Sequence, residues 1–154
     1  MELLILIIDW LHLFATIIWI GAMVILMVII IPSTKEILKD ELLNKRFLKV
    51  IGKKITLLVN ISIIIIIITG IILGILINLE SVNDIVVLIV KHILVSIMVC
   101  IHIGRIIIIA PRLERKSKEN PENSSFKRLQ KLQMNLVWIN LILGIIIVFF
   151  SIVV

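Results

Sequence analysis

Four long apolar stretches dominate the pattern of hydrophobic and polar positions along the chain. They cover residues 3–31, 55–77, 85–110 and 132–154 and consist mainly of Ile, Leu and Val. A helix needs about 20 apolar residues to cross a hydrocarbon core of about 30 Å. Because lipid cannot satisfy backbone polar groups, each stretch is predicted to form a transmembrane helix. The pattern therefore predicts an all-α integral membrane protein, a four-transmembrane-helix bundle that forms one domain over residues 1–154.

Composition supports this class. Of the 154 residues, 61% are hydrophobic, and the mean hydropathy is +1.26, which is far above that of an ordinary soluble domain. The first stretch has no basic residue ahead of it and is longer than a signal-peptide core, so we expect it to be retained. The single cysteine, Cys100, permits no internal disulfide.

Basic residues are concentrated in the two long connections, residues 33–54 and 111–131. They are Lys35, Lys39, Lys45, Arg46, Lys49, Lys53, Lys54, Arg112, Arg115, Lys116, Lys118, Lys127, Arg128 and Lys131. The positive-inside rule predicts a cell-membrane protein in which both connections are cytoplasmic and both termini lie on the outer side of the membrane. Topology and attraction to anionic lipid then explain the net charge of +6, and no folded reader of nucleic acid is expected.

The first connection has features of a helix. Ser33 and Glu36 form a capping-box pattern, in which polar side chains bond to backbone N–H groups at a helix start. Apolar residues such as Leu42 and Phe47 then recur among the charges. We predict a basic amphipathic helix that either lies on the inner leaflet or extends the second transmembrane segment inward.

Small and amide residues within the stretches predict helix packing. Gly70 and Gly74 form a small-x-x-x-small pair, which permits close helix approach and is a candidate homodimer face. Asn60, Asn135 and Asn140 are expected to form interhelical hydrogen bonds.

Two stripes of polar, aromatic and Met residues stand out in the first and third stretches. The first stripe contains Asp9, His12, Thr16, Trp19, Met23 and Met27, and the second contains Asp84, Lys91, Met98, His102 and Arg105. Each stripe falls within an arc of about 80° on its helix. Ionisable groups are costly inside a membrane and usually mark a functional pathway or site. The stripes therefore predict a buried ligand or metal site.

The stripe residues fall at two depths. His12 and Lys91 each lie about two turns inside the outer ends of their segments, which predicts an outer site centred on them. Met23 and His102 lie lower, in the cytoplasmic half, and predict a second, inner site.

Haem b is the first candidate cofactor. A neutral imidazole is a standard axial ligand for haem iron, so His12 and His102 are candidate ligands. Trp19 would form a wall of the cofactor pocket. Arg105 or Lys91 would bind a haem propionate or stabilise another anion.

Copper is the alternative cofactor, and a purely structural role is a further alternative. Met thioethers and imidazoles suit Cu(I), so the candidate copper ligands are Met23, Met27, Met98 and His102. Without a metal, Lys91 would form a structural ion pair with an acidic residue near the outer membrane surface.

The first stretch resembles a known membrane superfamily. His12, followed by Trp19 and then Gly21, resembles the first segment of HemJ-type protoporphyrinogen oxidases and of CopD-like membrane domains. Pro32 at the end of this segment is closer to the CopD-like pattern, which implies copper uptake or resistance.

The later segments also resemble the HemJ pattern. They carry Lys91, His102 eleven residues later, Arg105 shortly afterwards, and Asn135 at the start of the last segment. The resemblance implies haem b bound through His12, with Lys91 as a second essential position. It further implies oxidation of protoporphyrinogen IX to protoporphyrin IX, with electrons passed to a membrane acceptor.

Three functional hypotheses follow. The first is a haem-b-binding redox protein of the HemJ/CopD-like type, in which Lys91 orients an anionic group or transfers a proton. The second is a copper transport or resistance protein. The third is a non-catalytic membrane subunit of a larger complex.

Overall fold

A computed structural model describes residues 2–38, 40–76, 82–119 and 123–153. These residues form four helices and no strand. They are α1, Glu2–Ile37; α2, Glu41–Leu76; α3, which joins Val82–Gly104, Arg105–Ile109 and Ala110–Glu119; and α4, Ser124–Val153. Each helix is long and apolar enough to cross a membrane. The prediction of an all-α protein with four membrane-spanning helices is confirmed. Lys39, residues 77–81 between the second and third helices, and the side chain of Asp84 lie outside the described residues.

The helices extend well beyond the apolar stretches. α1 continues to Ile37, and α2 begins at Glu41, so most of the first basic connection is helical. This connection extends the second transmembrane segment, which is the second of the two arrangements that the sequence allows. Its Leu, Lys and Glu residues are strong helix formers. Lys45 Nζ lies 2.7 Å from Oε1 of Glu41, one turn earlier in the helix. Ion pairs at this spacing stabilise exposed helix surfaces.

The prediction of a helix start at Ser33 is wrong. Ser33 lies inside α1, because the preceding residues are already helical. The N-cap of α2 is Asp40, whose Oδ1 accepts a hydrogen bond from the Leu42 backbone N–H at 2.8 Å. Asn123 acts in the same way for α4, since its Oδ1 accepts from the Ser125 N–H at 3.0 Å.

α1 and α3 each contain a π-helical segment that ends two positions before a proline. The segments are Ile25–Ile30, ahead of Pro32, and Arg105–Ile109, ahead of Pro111. At the residue before each proline, the backbone N–H donates to the carbonyl oxygen five residues earlier. Proline lacks an N–H and its ring clashes with the carbonyl oxygen four residues back, so a wider turn accommodates it.

The chain divides into two compact hairpins, Met1–Asn78 and Leu79–Val154. In the first hairpin α1 packs against α2, and in the second α3 packs against α4. The first pair is antiparallel, because His12, early in α1, meets Thr69, late in α2. The buried residues of the first hairpin are Ala15, Trp19, Ala22, Met23, Met27, Thr34, Val59, Ser62, Ile63, Ile66, Thr69 and Leu73. They recur at intervals of three and four, the spacing of one helix face.

Candidate functional site

His12 is held against α2 by a hydrogen bond to its side chain. Its Nδ1 atom lies 2.8 Å from Oγ1 of Thr69. The histidine is half-buried, whereas the threonine is 6% exposed. The two residues are 57 positions apart in sequence, so this contact exists only because the hairpin closes.

The Thr69 hydroxyl is itself bound to the α2 backbone. It donates to the carbonyl oxygen of Ile65 at 2.6 Å, one turn earlier, and lies 3.4 Å from that of Ile66. Threonine commonly bonds back to its own helix in this way, because a lipid environment offers no water for the hydroxyl. His12, Thr69 and the Ile65 carbonyl therefore form a short hydrogen-bonded chain.

Gly70 leaves the space that the His12 ring occupies. A Cβ atom at position 70 would lie 3.3 Å from His12 Cε1 and 3.8 Å from Nδ1. The first distance is shorter than ordinary van der Waals contact, so a larger residue would displace the ring. The neighbour of Gly70 is thus the His12 side chain, whereas the sequence predicted a close approach of helices at the Gly70 and Gly74 pair. At Gly74, by contrast, an added Cβ would meet nothing within 4 Å.

Three further residues of the α1 stripe are buried. Trp19, Met23 and Met27 are 3%, 5% and 4% exposed. Ala15 and Ala22, on the same face, are also buried. The predicted assignment of this stripe to a buried face is confirmed for Trp19 and both methionines, whereas Asp9 near the outer end is exposed.

The second hairpin contains a buried cluster of Met98, His102 and Asn140. Met98 and His102 lie one turn apart on α3 and are 2% and 4% exposed. Asn140 on α4 is fully buried, and its Nδ2 donates to the Met98 carbonyl oxygen at 3.1 Å. The predicted interhelical hydrogen bond of Asn140 is confirmed.

Two cationic residues in the apolar, membrane-spanning part of α3 are half-buried. They are Lys91 and Arg105. The Arg105 Nε atom is buried and has no hydrogen-bond partner among the described residues. A buried guanidinium nitrogen in that state is suited to bind an anion.

His92 faces away from these buried groups. Its side chain is exposed, and its Nδ1 is hydrogen-bonded to the Leu88 carbonyl oxygen at 2.8 Å, within its own helix. His92 is therefore not part of the buried stripe, although it lies next to Lys91 in sequence.

The two hairpins carry their stripes at matching positions relative to the prolines. Counted back from Pro32 and Pro111, the pairs are His12 and Lys91 at 20 residues, Trp19 and Met98 at 13, and Met23 and His102 at nine. The last two pairs are buried throughout. At these three positions relative to the proline, both helices therefore carry a polar, aromatic or Met residue of their stripe.

The structure brings some predicted site residues together within a hairpin. His12, Trp19 and Met23 share the first, and Lys91, Met98, His102 and Arg105 share the second. The pairing of His12 with Lys91 joins the two hairpins and stays a prediction. No group of three or more His, Cys, Asp or Glu residues suited to a metal occurs in the described part of the chain.

The donor chemistry around His12 fits haem iron. Where an axial histidine holds haem iron, a hydrogen bond at its other ring nitrogen orients the imidazole, and Thr69 Oγ1 contacts Nδ1 of His12 here. Gly70 leaves room for the ring that a Cβ at this position would reduce.

Thr69 is a residue of this candidate site that the sequence pattern did not single out. Its signal is visible, since it is a hydroxyl residue directly before Gly70 in a run of isoleucines. The sequence of one helix does not, however, reveal which residue of another helix the Thr69 hydroxyl contacts.

Comparisons with known proteins identify no relative of this chain. No protein-family model, curated protein or solved structure matches it.

Proposed function

We propose that this protein is a multi-pass membrane redox protein that binds haem b through His12, resembling HemJ-type protoporphyrinogen oxidases and CopD-like proteins. The observation that carries the proposal is the hydrogen bond from the His12 ring to Thr69. This bond fixes the orientation of the His12 ring inside a membrane-spanning segment, and a fixed ring orientation favours axial ligation of a metal. Bound haem supplies one-electron transfer through its iron.

The other stripe residues have roles that follow from their chemistry. Trp19 lies on the same helix as His12, is buried, and is apolar over most of its surface. Its proposed role is to form one wall of the haem pocket. Arg105 has a buried Nε with no hydrogen-bond partner in the described residues, and binds a carboxylate such as a propionate. His102 is buried and is the candidate ligand of the inner site.

Lys91 is proposed as the catalytic residue. It is half-buried in a membrane-spanning helix, where an ammonium group is costly without a function. Its proposed role is to orient an anionic group of the substrate or to transfer a proton. The proposed reaction class is the oxidation of a porphyrinogen, with a membrane electron acceptor as partner.

An optical difference spectrum tests the haem proposal. Protein expressed with haem available and purified in mild detergent is compared, reduced minus oxidised, with His12→Ala and His92→Ala variants. The expected result is a b-type spectrum in the wild type and in His92→Ala, and its loss in His12→Ala. His92 is a matched control, because it is a histidine in a membrane-spanning helix whose side chain is exposed. A well-folded wild type without a haem signal would overturn the proposal.

Copper transport or resistance is the second candidate function. Its supporting observation is that Met98 and His102 are buried one turn apart on one helix, which offers a thioether and an imidazole to Cu(I). Under this alternative, Met98→Leu and His102→Ala variants lose Cu(I) binding while His12→Ala leaves it intact. Loss of binding in His12→Ala alone would contradict a copper site at these two residues.

A further inference from the structure

We propose that Thr69 is a positioning residue that fixes the tautomer of His12 and thereby makes Nε2 the ligand atom. This inference rests on the proposed haem function. It deepens that function, because it assigns a role to a residue on the opposite helix of the hairpin.

The number of protons on Thr69 decides the direction of its hydrogen bonds. A hydroxyl has one hydrogen to donate. The carbonyl oxygen of Ile65, at 2.6 Å, can only accept, so the hydroxyl hydrogen is directed to it. Oγ1 then offers lone pairs to His12, and Nδ1–H is the donor across the 2.8 Å contact.

The opposite arrangement is unfavourable. If Thr69 donated to a bare Nδ1, its Oγ1 would face the Ile65 carbonyl oxygen at 2.6 Å with no hydrogen between them. Two oxygens at that distance repel each other unless a proton lies between them. A neutral imidazole has one N–H, so a proton on Nδ1 leaves the ring lone pair on Nε2.

Gly70 allows this hydrogen bond to form. The ring atom between the two nitrogens, Cε1, would lie only 3.3 Å from a Cβ at position 70. The Thr69-Gly70 pair therefore combines an acceptor for Nδ1–H with space for the ring beside it. Hydrogen bonding at the second nitrogen orients a ligating histidine and increases its basicity.

The consequence is a specific effect on haem binding. Removal of an outer-sphere partner of a ligating histidine lowers affinity by about 10- to 100-fold. Loss of the Thr69 hydroxyl should therefore weaken haem binding without removing the ligand.

The experiment compares Thr69→Val, which keeps the shape and removes the hydroxyl, with Thr69→Ser, which keeps the hydroxyl. Thr16→Val is a matched control. Its hydroxyl donates to the His12 backbone carbonyl at 2.8 Å and not to the ring. Nitrogen-15 NMR of histidine-labelled, haem-free protein reports the tautomer of His12. Haem titration and the midpoint potential report on the loaded protein.

The expected result is an Nδ1–H tautomer in the wild type, Thr69→Ser and Thr16→Val, and a mixed population in Thr69→Val. Haem affinity should fall at least about tenfold in Thr69→Val alone, with a shifted midpoint potential. An Nε2–H tautomer in the wild type, or identical tautomer and affinity in Thr69→Val, would overturn the positioning role. A wild type with the Nδ1–H tautomer that binds no haem would instead overturn the haem function, and with it the ligand role of Nε2.

Discussion

Asn140 Nδ2 donates to the backbone carbonyl oxygen of Met98 at 3.1 Å, and so joins α4 to the buried face of α3. In an α-helix the same carbonyl oxygen accepts the N–H of the residue four positions later, which is His102. Asn140 therefore contacts the backbone turn that carries the buried histidine. The two residues are 42 positions apart in sequence, and the Asn140 side chain that makes the bond is fully buried.

Replacement of Asn140 by Leu should destabilise the protein modestly. The variant loses the hydrogen bond to Met98, and bonds of this kind are worth about 0.6 kcal/mol on average between membrane helices. The Met98 carbonyl keeps its helical partner, which limits the loss. Unfolding in mixed micelles, with Asn135→Leu on the same helix as an exposed control, measures the effect. Equal stability of the two variants would contradict a contribution from this bond.

Gly70→Ala and Gly74→Ala should differ, although they are the same substitution one turn apart. The Cβ at position 70 lies 3.3 Å from His12 Cε1, whereas at position 74 it meets nothing within 4 Å. The ring must move by a few tenths of an ångström in the first variant, which alters its hydrogen bond to Thr69. We expect haem affinity to fall about tenfold in Gly70→Ala and to stay unchanged in Gly74→Ala. Equal affinities, measured by haem titration, would show that the ring adapts freely.

Lys91→Met should retain the b-type spectrum and lose redox turnover, because Lys91 is proposed to act on the substrate and not on the iron. Loss of a proton donor or acceptor costs about 100-fold or more in rate. Lys91→Arg separates the two proposed roles. Arginine keeps the charge and does not deprotonate, so it restores turnover only if Lys91 orients an anion. Lys118→Met, an exposed lysine at the end of α3, is the control. Full turnover in Lys91→Met would remove Lys91 from the mechanism.

Cysteine labelling tests the predicted orientation. In a Cys100→Ser background, Glu2→Cys should react with a membrane-impermeant maleimide in intact cells. Ser117→Cys should react only after the cells are permeabilised, because it lies in the second basic connection. Both positions are exposed, so accessibility of the side chain does not limit either reaction. The reverse pattern would place both termini in the cytoplasm.

The limits of sequence reasoning are clearest where local rules compete. Ser33 and Glu36 satisfy a capping box, yet the chain there is already helical, and Asp40 caps the next helix instead. A capping box describes only the tendency of four residues to start a helix. Whether a helix starts there also depends on whether the preceding turns are already helical. The proline at position 32 does not end α1 either, since the π segment before it absorbs the clash.

The sequence by itself determined the four membrane-spanning helices and the faces of α1 and α3 that carry the polar, aromatic and Met stripes. Both follow from short-range physics: lipid requires each segment to satisfy its own backbone, and the helical period fixes which residues share a face. Only the tertiary structure decided that His12 meets Thr69 and that Asn140 meets Met98. Long runs of isoleucine allow many registers between neighbouring helices, and a difference of one residue turns a side chain by about 100°. The choice among those registers is made by packing of complete surfaces, which no local pattern encodes.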